Sequence, residues 1–226
     1  MKLVIFDMDQ TLVDFISIHD RAARELFKQY FDVDARLTEI DFAGRSMAEN
    51  FLELAKLKNI PEDKIRQNSE VLLNRYETNF SESIPPRASK YVLPGVKPLL
   101  EELLRMGHLV ALYTGDSAAI VSQVFKATGL GKYFKFSVYG TEAKTRADMV
   151  RLAVKRAESL AGRRFRDKDV VIVGDSVRDI ECGKEIKALT IAVATGFHSE
   201  EELRKHKPDF LFGNLKDYKQ VLKAIG

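Results

Sequence analysis

The sequence predicts an α/β fold: a doubly wound, mostly parallel sheet with an all-helical segment inserted after the first strand. Three observations predict it. Short runs of apolar, often β-branched residues recur without polar alternation, as strands buried on both faces require. Amphipathic stretches of helical length separate these runs. One long span, from about 14 to 86, has helical periodicity and no comparable run.

The first strand is Lys2–Phe6 (KLVIF). Leu109–Tyr113 (LVALY), Val170–Val173 (VVIV) and Leu189–Val193 (LTIAV) share its character, and Phe136–Tyr139 and Phe210–Phe212 are shorter candidates. Helices are expected over about 96–106, 117–128, 143–160, 177–186, 199–206 and 214–225. Before the second strand, Ala22–Tyr30, Met47–Leu57 and Lys64–Phe80 carry helical spacing. A crossover does not need roughly seventy residues. Residues 14–86 are therefore expected to form a helical insert, closed by the stiff Ser83-Ile84-Pro85-Pro86 return, with 1–13 and 87–226 forming the core.

Composition narrows the function classes. The 226 residues carry 36 Lys and Arg against 33 Asp and Glu, a net charge of +3 that is scattered along the chain. A nucleic-acid partner is not expected from so small an excess. Cys182 is the only cysteine, so an internal disulfide and a thiolate metal cluster are both excluded. No apolar segment reaches membrane-spanning length, and Asp7 and Asp9 interrupt the N-terminal run well before signal-peptide length. A cytoplasmic protein without a membrane partner is expected.

Carboxylates follow two of the strands. Asp7-Met8-Asp9-Gln10-Thr11 succeeds the first, where ligands gather in open α/β sheets. One acid of such a pair can attack while the other exchanges a proton with the leaving group. A strand-end turn explains the pair equally well. Gly174-Asp175-Ser176-Val177-Arg178-Asp179 follows Val170–Val173, and its two carboxylates suit Mg²⁺ or, more simply, a helix cap. Thr114-Gly115-Asp116-Ser117 follows Leu109–Tyr113 and offers a hydroxyl and backbone N–H groups to a phosphate. Lys144 and Arg146 open the helix expected behind Phe136–Tyr139, and either cation suits a phosphoryl group in transfer. The four signals gain weight together, because each follows its own strand at one edge of the sheet.

These motifs resemble those of the haloacid dehalogenase-like (HAD) hydrolases, in the branch with a helical cap after the first strand. Asp7, Asp9 and Thr11 match DxDx[TV]; Thr114 matches the second motif, Lys144 the third, and Gly174, Asp175 and Asp179 match GDxxxD. Ala194-Thr195-Gly196-Phe197 is similar to the loop after the next strand. The resemblance covers essentially the whole chain and looks nearest to phosphoglycolate phosphatases. It implies a Rossmann-like core and hydrolysis of a small phosphorylated metabolite. In that scheme Asp7 forms an aspartyl-phosphate, and Asp9 serves as general acid and base. Mg²⁺ is held by Asp7, the Asp9 backbone carbonyl and Asp175, with Asp179 as a ligand or just behind. Thr114, Gly115 and Lys144, or Arg146 in its place, bind phosphate, and Arg45 falls where capped relatives contact substrate. Gln10 departs from the family glycine, Gly115 stands for a common Asn, and Thr145 stands for Pro. A sugar phosphomutase and a catalytically silent phospho-ligand-binding relative remain the alternatives. A dehalogenase would lack Asp9, and a signalling receiver would lack the insert. Monomer and homodimer are both compatible with the sequence.

Overall fold

In the computed structural model, which describes residues 1–226, the apolar runs become β1 Leu3–Phe6, β2 Leu109–Thr114, β3 Phe136–Tyr139, β4 Val170–Gly174, β5 Leu189–Val193 and β6 Phe210–Phe212. They form one six-stranded sheet, ordered β3-β2-β1-β4-β5-β6. All its neighbouring strands are parallel. Side chains alternate across the sheet, so β1 serves two cores. Val4 and Phe6 pack with Leu99 and Val221, whereas Leu3 and Ile5 pack with Val150, Ala153 and Ala157. With both faces covered, polar alternation in β1 would bury unpaired polar groups, which explains its unbroken apolar run.

Four α-helices lie between β1 and β2 before the core resumes: α1 Ile16–Phe31, α2 Met47–Leu57, α3 Glu62–Gln67 and α4 Ser69–Ser83. Phe51 joins them, its ring centroid 6.0 Å from Phe27 of α1 and 5.5 Å from Tyr76 of α4. The single periodic stretch expected over Lys64–Phe80 is broken at Asn68. There the Asn68 amide donates to the Lys64 carbonyl at 2.8 Å and competes with the helical ladder. The two connections to the core run side by side. Asp14 N–H donates to Tyr91 O at 2.8 Å and Leu93 N–H to Leu12 O at 2.9 Å.

The remaining helices are α5 Val96–Arg105, α6 Ala118–Thr128, α7 Arg146–Ala161, α8 Val177–Glu185, α9 Glu200–Lys205 and α10 Tyr218–Ile225. Ser117, Thr145, Ser176, Ser199 and Asp217 cap five of them through side-chain oxygens, which fixes where each begins. The cap at Thr145 shifts the start of α7 from the expected 143 to Arg146 and leaves Lys144 in the preceding loop. No helix is long and apolar enough to cross a membrane. The chain winds outward from β1 to β3 and then returns to β4 on the other side of β1. That reversal opens a crevice at the carboxyl ends of β1, β2 and β4.

Candidate active site

Asp7 leaves β1 at this crevice, its N–H held by Val173 O of β4 at 2.9 Å. Its carboxylate lies with those of Asp175 and Asp179 in a buried group whose ligand atoms are all within 4.8 Å of one another. Burial pushes the Asp7 carboxyl up to about 7, Arg146 draws it down, and Asp179 and Asp9 raise it further. Asp175 is likewise pushed well above the carboxylate range, by burial first and then by Asp7 and Asp179. Thr11 anchors it, donating to Oδ1 at 3.0 Å.

Asp179 is held differently. Ser176 donates to Oδ2 through N–H at 2.9 Å and through its hydroxyl at 2.5 Å, while Tyr113 and Arg146 donate to Oδ1. Burial raises its pKa, but Arg146, Ser176 and Tyr113 outweigh burial and hold it below the usual range. Both of its oxygens are therefore occupied by protein donors.

Of the two candidate cations, the structure brings Arg146 to Asp7. Its Nη2 donates to Asp7 Oδ1 at 2.6 Å and its Nε to Asp179 Oδ1 at 2.9 Å, and the guanidinium lies 4.3 Å from the Tyr113 ring centroid. The arginine side chain is only 8% exposed. Lys144 is exposed and lines an adjoining cavity with Gly44 and Gly115, not the one containing Asp7. The helix cap explains the exchange: a helix starting at 146 points its first side chain at the strand ends, and the residue two before it stays outside.

Asp9, Thr114, Gly115 and Arg45 line the same cavity as Asp7. Thr114 Oγ1 donates to Asp116 Oδ2 at 3.3 Å and accepts from Asp116 N–H at 3.2 Å. Gly115 lies beneath the loop before α2: a Cβ there would stand 2.1 Å from the Arg45 carbonyl oxygen. Only a glycine admits so close a backbone approach. Arg45 borders the cavity with its Nε on Asp41 O at 2.9 Å and Nη1 at 3.7 Å from Glu53. Gln10 adopts φ 61°, the left-handed conformation that glycine takes without strain. Its amide donates to Asp14 at 2.6 Å, and Thr195 holds its carbonyl.

Three residues enter the cavity without having been singled out in the sequence. His19 of α1 places Nε2 3.3 Å from Asp9 Oδ2, outside hydrogen-bonding geometry, and its Nδ1 meets the Tyr76 hydroxyl. Burial alone would lower the His19 pKa, but Asp9 and Asp116 overturn that and lift it to about 9. Asp116 is buried within 4.8 Å of Asp9 and His19. Asn50 of α2 is buried and lines the same cavity. Asp116 had a sequence signal as part of the strand-end Thr-Gly-Asp. His19 interrupts an apolar stripe, and Asn50 gives no sign in one dimension.

Comparison with known proteins identifies the family. Residues 4–193 match the family described as haloacid dehalogenase-like hydrolase. A probable phosphatase, IndB, of Dickeya dadantii is 29% identical over 99% of this chain and 94% of its own length. Phosphoglycolate phosphatase 1 of Pseudomonas aeruginosa is 25% identical over 96% of this chain and 78% of its own. A β-phosphoglucomutase structure from Clostridium difficile superposes with a TM-score of 0.79 over 100% of this chain and 97% of that one, at 16% identity, a likeness of fold. With its strand-end motifs, parallel sheet and matched residues in accord, the chain belongs to the haloacid dehalogenase-like hydrolases.

Proposed function

We propose that this protein is a Mg²⁺-dependent phosphatase of small phosphomonoesters, with Asp7 as nucleophile and Asp9 as general acid and base. The observation that carries the proposal is the shared cavity of Asp7, Asp9, Thr114 and Arg146 at the carboxyl ends of β1, β2 and β4. Asp7 Oδ attacks phosphorus in line, the bond to the leaving oxygen breaks, and Asp9 gives that oxygen its proton. Asp9 then takes a proton from water, whose oxygen attacks the aspartyl-phosphate and releases phosphate with Asp7 restored. Arg146 orients the Asp7 carboxylate, and with Thr114 and Gly115 it offers donors to the phosphoryl oxygens. His19, beside Asp9, holds that carboxylate toward the leaving group.

The acids fit a hard divalent ion. Asp7 and Asp175 are buried carboxylates raised by burial and mutual repulsion, and a cation between them relieves both. Asp7, the Asp9 backbone carbonyl and Asp175 would hold it. Asp179, with both oxygens in use, is assigned as the anchor of Arg146. When bound, Mg²⁺ neutralises charge between a carboxylate and an anionic ester. Helices α1–α4 are assigned as a cap over the site, in a cytoplasmic enzyme.

The test is p-nitrophenyl phosphate hydrolysis with and without Mg²⁺. Wild-type turnover should require Mg²⁺, and Asp7→Asn should lower it by at least about 10³-fold while leaving the fold intact by circular dichroism. Unchanged turnover in Asp7→Asn would refute the nucleophile assignment. A phosphomutase would instead convert a sugar phosphate to its isomer without releasing phosphate. Phosphoglycolate and pyrophosphate, named for relatives of this chain, belong in the substrate panel.

A further inference from the structure

The wall facing the leaving group is rich in acceptors. Asn50 is 3% exposed, and its amide N–H₂ points to Met47 Sδ at 3.8 Å, which leaves Oδ1 as the free atom. Asn50 Oδ1 and Asp9 Oδ1 are both buried with no hydrogen-bond partner. Asp116, 6% exposed, adds a second carboxyl on the same side as Asp9. Orphaned buried acceptors are costly, and a ligand that supplies donors removes that cost. Two carboxyls side by side also repel an anion brought against them. The cations bordering the cavity already face carboxyls: Arg146 faces Asp7 and Asp179, Arg45 faces Glu53, and His19, whose Nε2 makes no hydrogen bond, faces Asp9 and Asp116.

We infer that the leaving group is not anionic and ends in a hydrogen-bond donor, hydroxyl or ammonium, received by Asn50 and Asp116. The inference rests on the phosphatase reading and narrows its substrate class. It ranks a carboxylated ester such as phosphoglycolate low. Asn50 and Asp116 are specificity residues in this scheme, bonded to the leaving group and not to the phosphoryl group.

A matched series of two-carbon phosphomonoesters isolates the terminal group. Hydroxyethyl phosphate, phosphoethanolamine, phosphoglycolate and ethyl phosphate are compared by kcat/KM on the Mg²⁺-loaded wild-type enzyme. The hydroxyl or ammonium ester should exceed both others by about tenfold or more, the discrimination a polar pocket exerts on a ligand that fails to satisfy it. Which donor ester ranks first distinguishes hydroxyl from ammonium. In Asn50→Leu, checked for folding by thermal melting, the ratio of the better donor ester to ethyl phosphate should fall by about tenfold. Phosphoglycolate matching or outranking both donor esters overturns the inference, as does ethyl phosphate matching them or a ratio unchanged in Asn50→Leu. If neither these esters nor p-nitrophenyl phosphate are hydrolysed, the phosphatase reading itself falls and the inference with it. Hydrolysis of p-nitrophenyl phosphate with the wrong ranking refutes the leaving-group assignment alone.

Discussion

Arg146 and Lys144 are two residues apart and carry the same charge, yet they differ in every physical respect that matters to the site. Arg146 is enclosed by Asp7, Asp179 and Tyr113, and removing it leaves two buried carboxylates without their counter-ion. Arg146→Ala is expected to cost about 3–5 kcal/mol in denaturant unfolding of the metal-free protein, and at least about 10²-fold in p-nitrophenyl phosphate turnover. Arg146→Lys should recover only part of either loss, since an ammonium cannot reproduce the fork that spans both acids. Lys144→Ala, at an exposed site, should change stability by less than about 0.5 kcal/mol. Sequence alone put Lys144 ahead of Arg146, because the choice depends on a helix cap, and moving the start of α7 from 143 to Arg146 turns a different side chain inward. Gln10 shows a related limit. Its left-handed backbone costs about 1–2 kcal/mol relative to glycine, while glycine would make the unfolded chain more flexible. Gln10→Gly should therefore shift stability by less than about 1 kcal/mol, whereas the β-branched Gln10→Val should destabilise by more than that.

At the scale of elements, the strands were legible and the helical boundaries less so. Every strand expected from an apolar run is present: β1, β2, β4 and β5 are buried along nearly their whole length, which removes the ambiguity of a half-exposed strand, and the shorter β3 and β6 are buried only in part. The expected helix over Lys64–Phe80 was not one helix, because periodicity reports which face is apolar and not whether a side chain breaks the ladder, as Asn68 does. The site followed the same division. Asp7, Thr114, Asp175 and Asp179 could be located because each adjoins a strand end. His19 and Asn50 could not, since they reach the cavity from helices whose docking exists only in three dimensions. The loop between those helices supplies the test at this scale. In Gly115→Ala the new methyl would meet the Arg45 carbonyl at 2.1 Å and displace the loop. The atoms in the way are main chain and cannot swing aside cheaply, so the melting temperature should fall as well. The kcat/KM should fall on the order of 10²-fold, as misplacing a substrate-facing segment does.

For the whole molecule, the concentration of buried acids sets how stability responds to pH. Asp7 and Asp116 rise from 3.8 to about 7, both chiefly through burial, and His19 rises from 6.5 to about 9 through Asp9 and Asp116. Each folded-state value lies above the unfolded one, so the folded protein binds more protons over these intervals. Stability from these groups is complete below their unfolded values and is lost as pH rises through their folded ones. Asp179, shifted downward, contributes in the opposite sense, and its stabilisation is lost in acid. Metal-free protein should therefore melt at progressively lower temperature from about pH 5 to pH 9 in scanning fluorimetry. Mg²⁺ should raise the melting temperature more at pH 8 than at pH 5, because the ion meets carboxylates already ionised. The seam between the helical segment and the sheet has a separate consequence for engineering. Where the Arg45 carbonyl sits on Gly115, main chain meets main chain with no side chain between. Compatibility at that seam takes both this backbone contour and the side-chain pairs beside it, such as Arg178 with Asp41 and Phe197 with Phe42. A chimaera importing the helices of a relative should assemble if its donor loop repeats this contour over Gly115 and keeps an acid for Arg178, however different its substrate-facing residues.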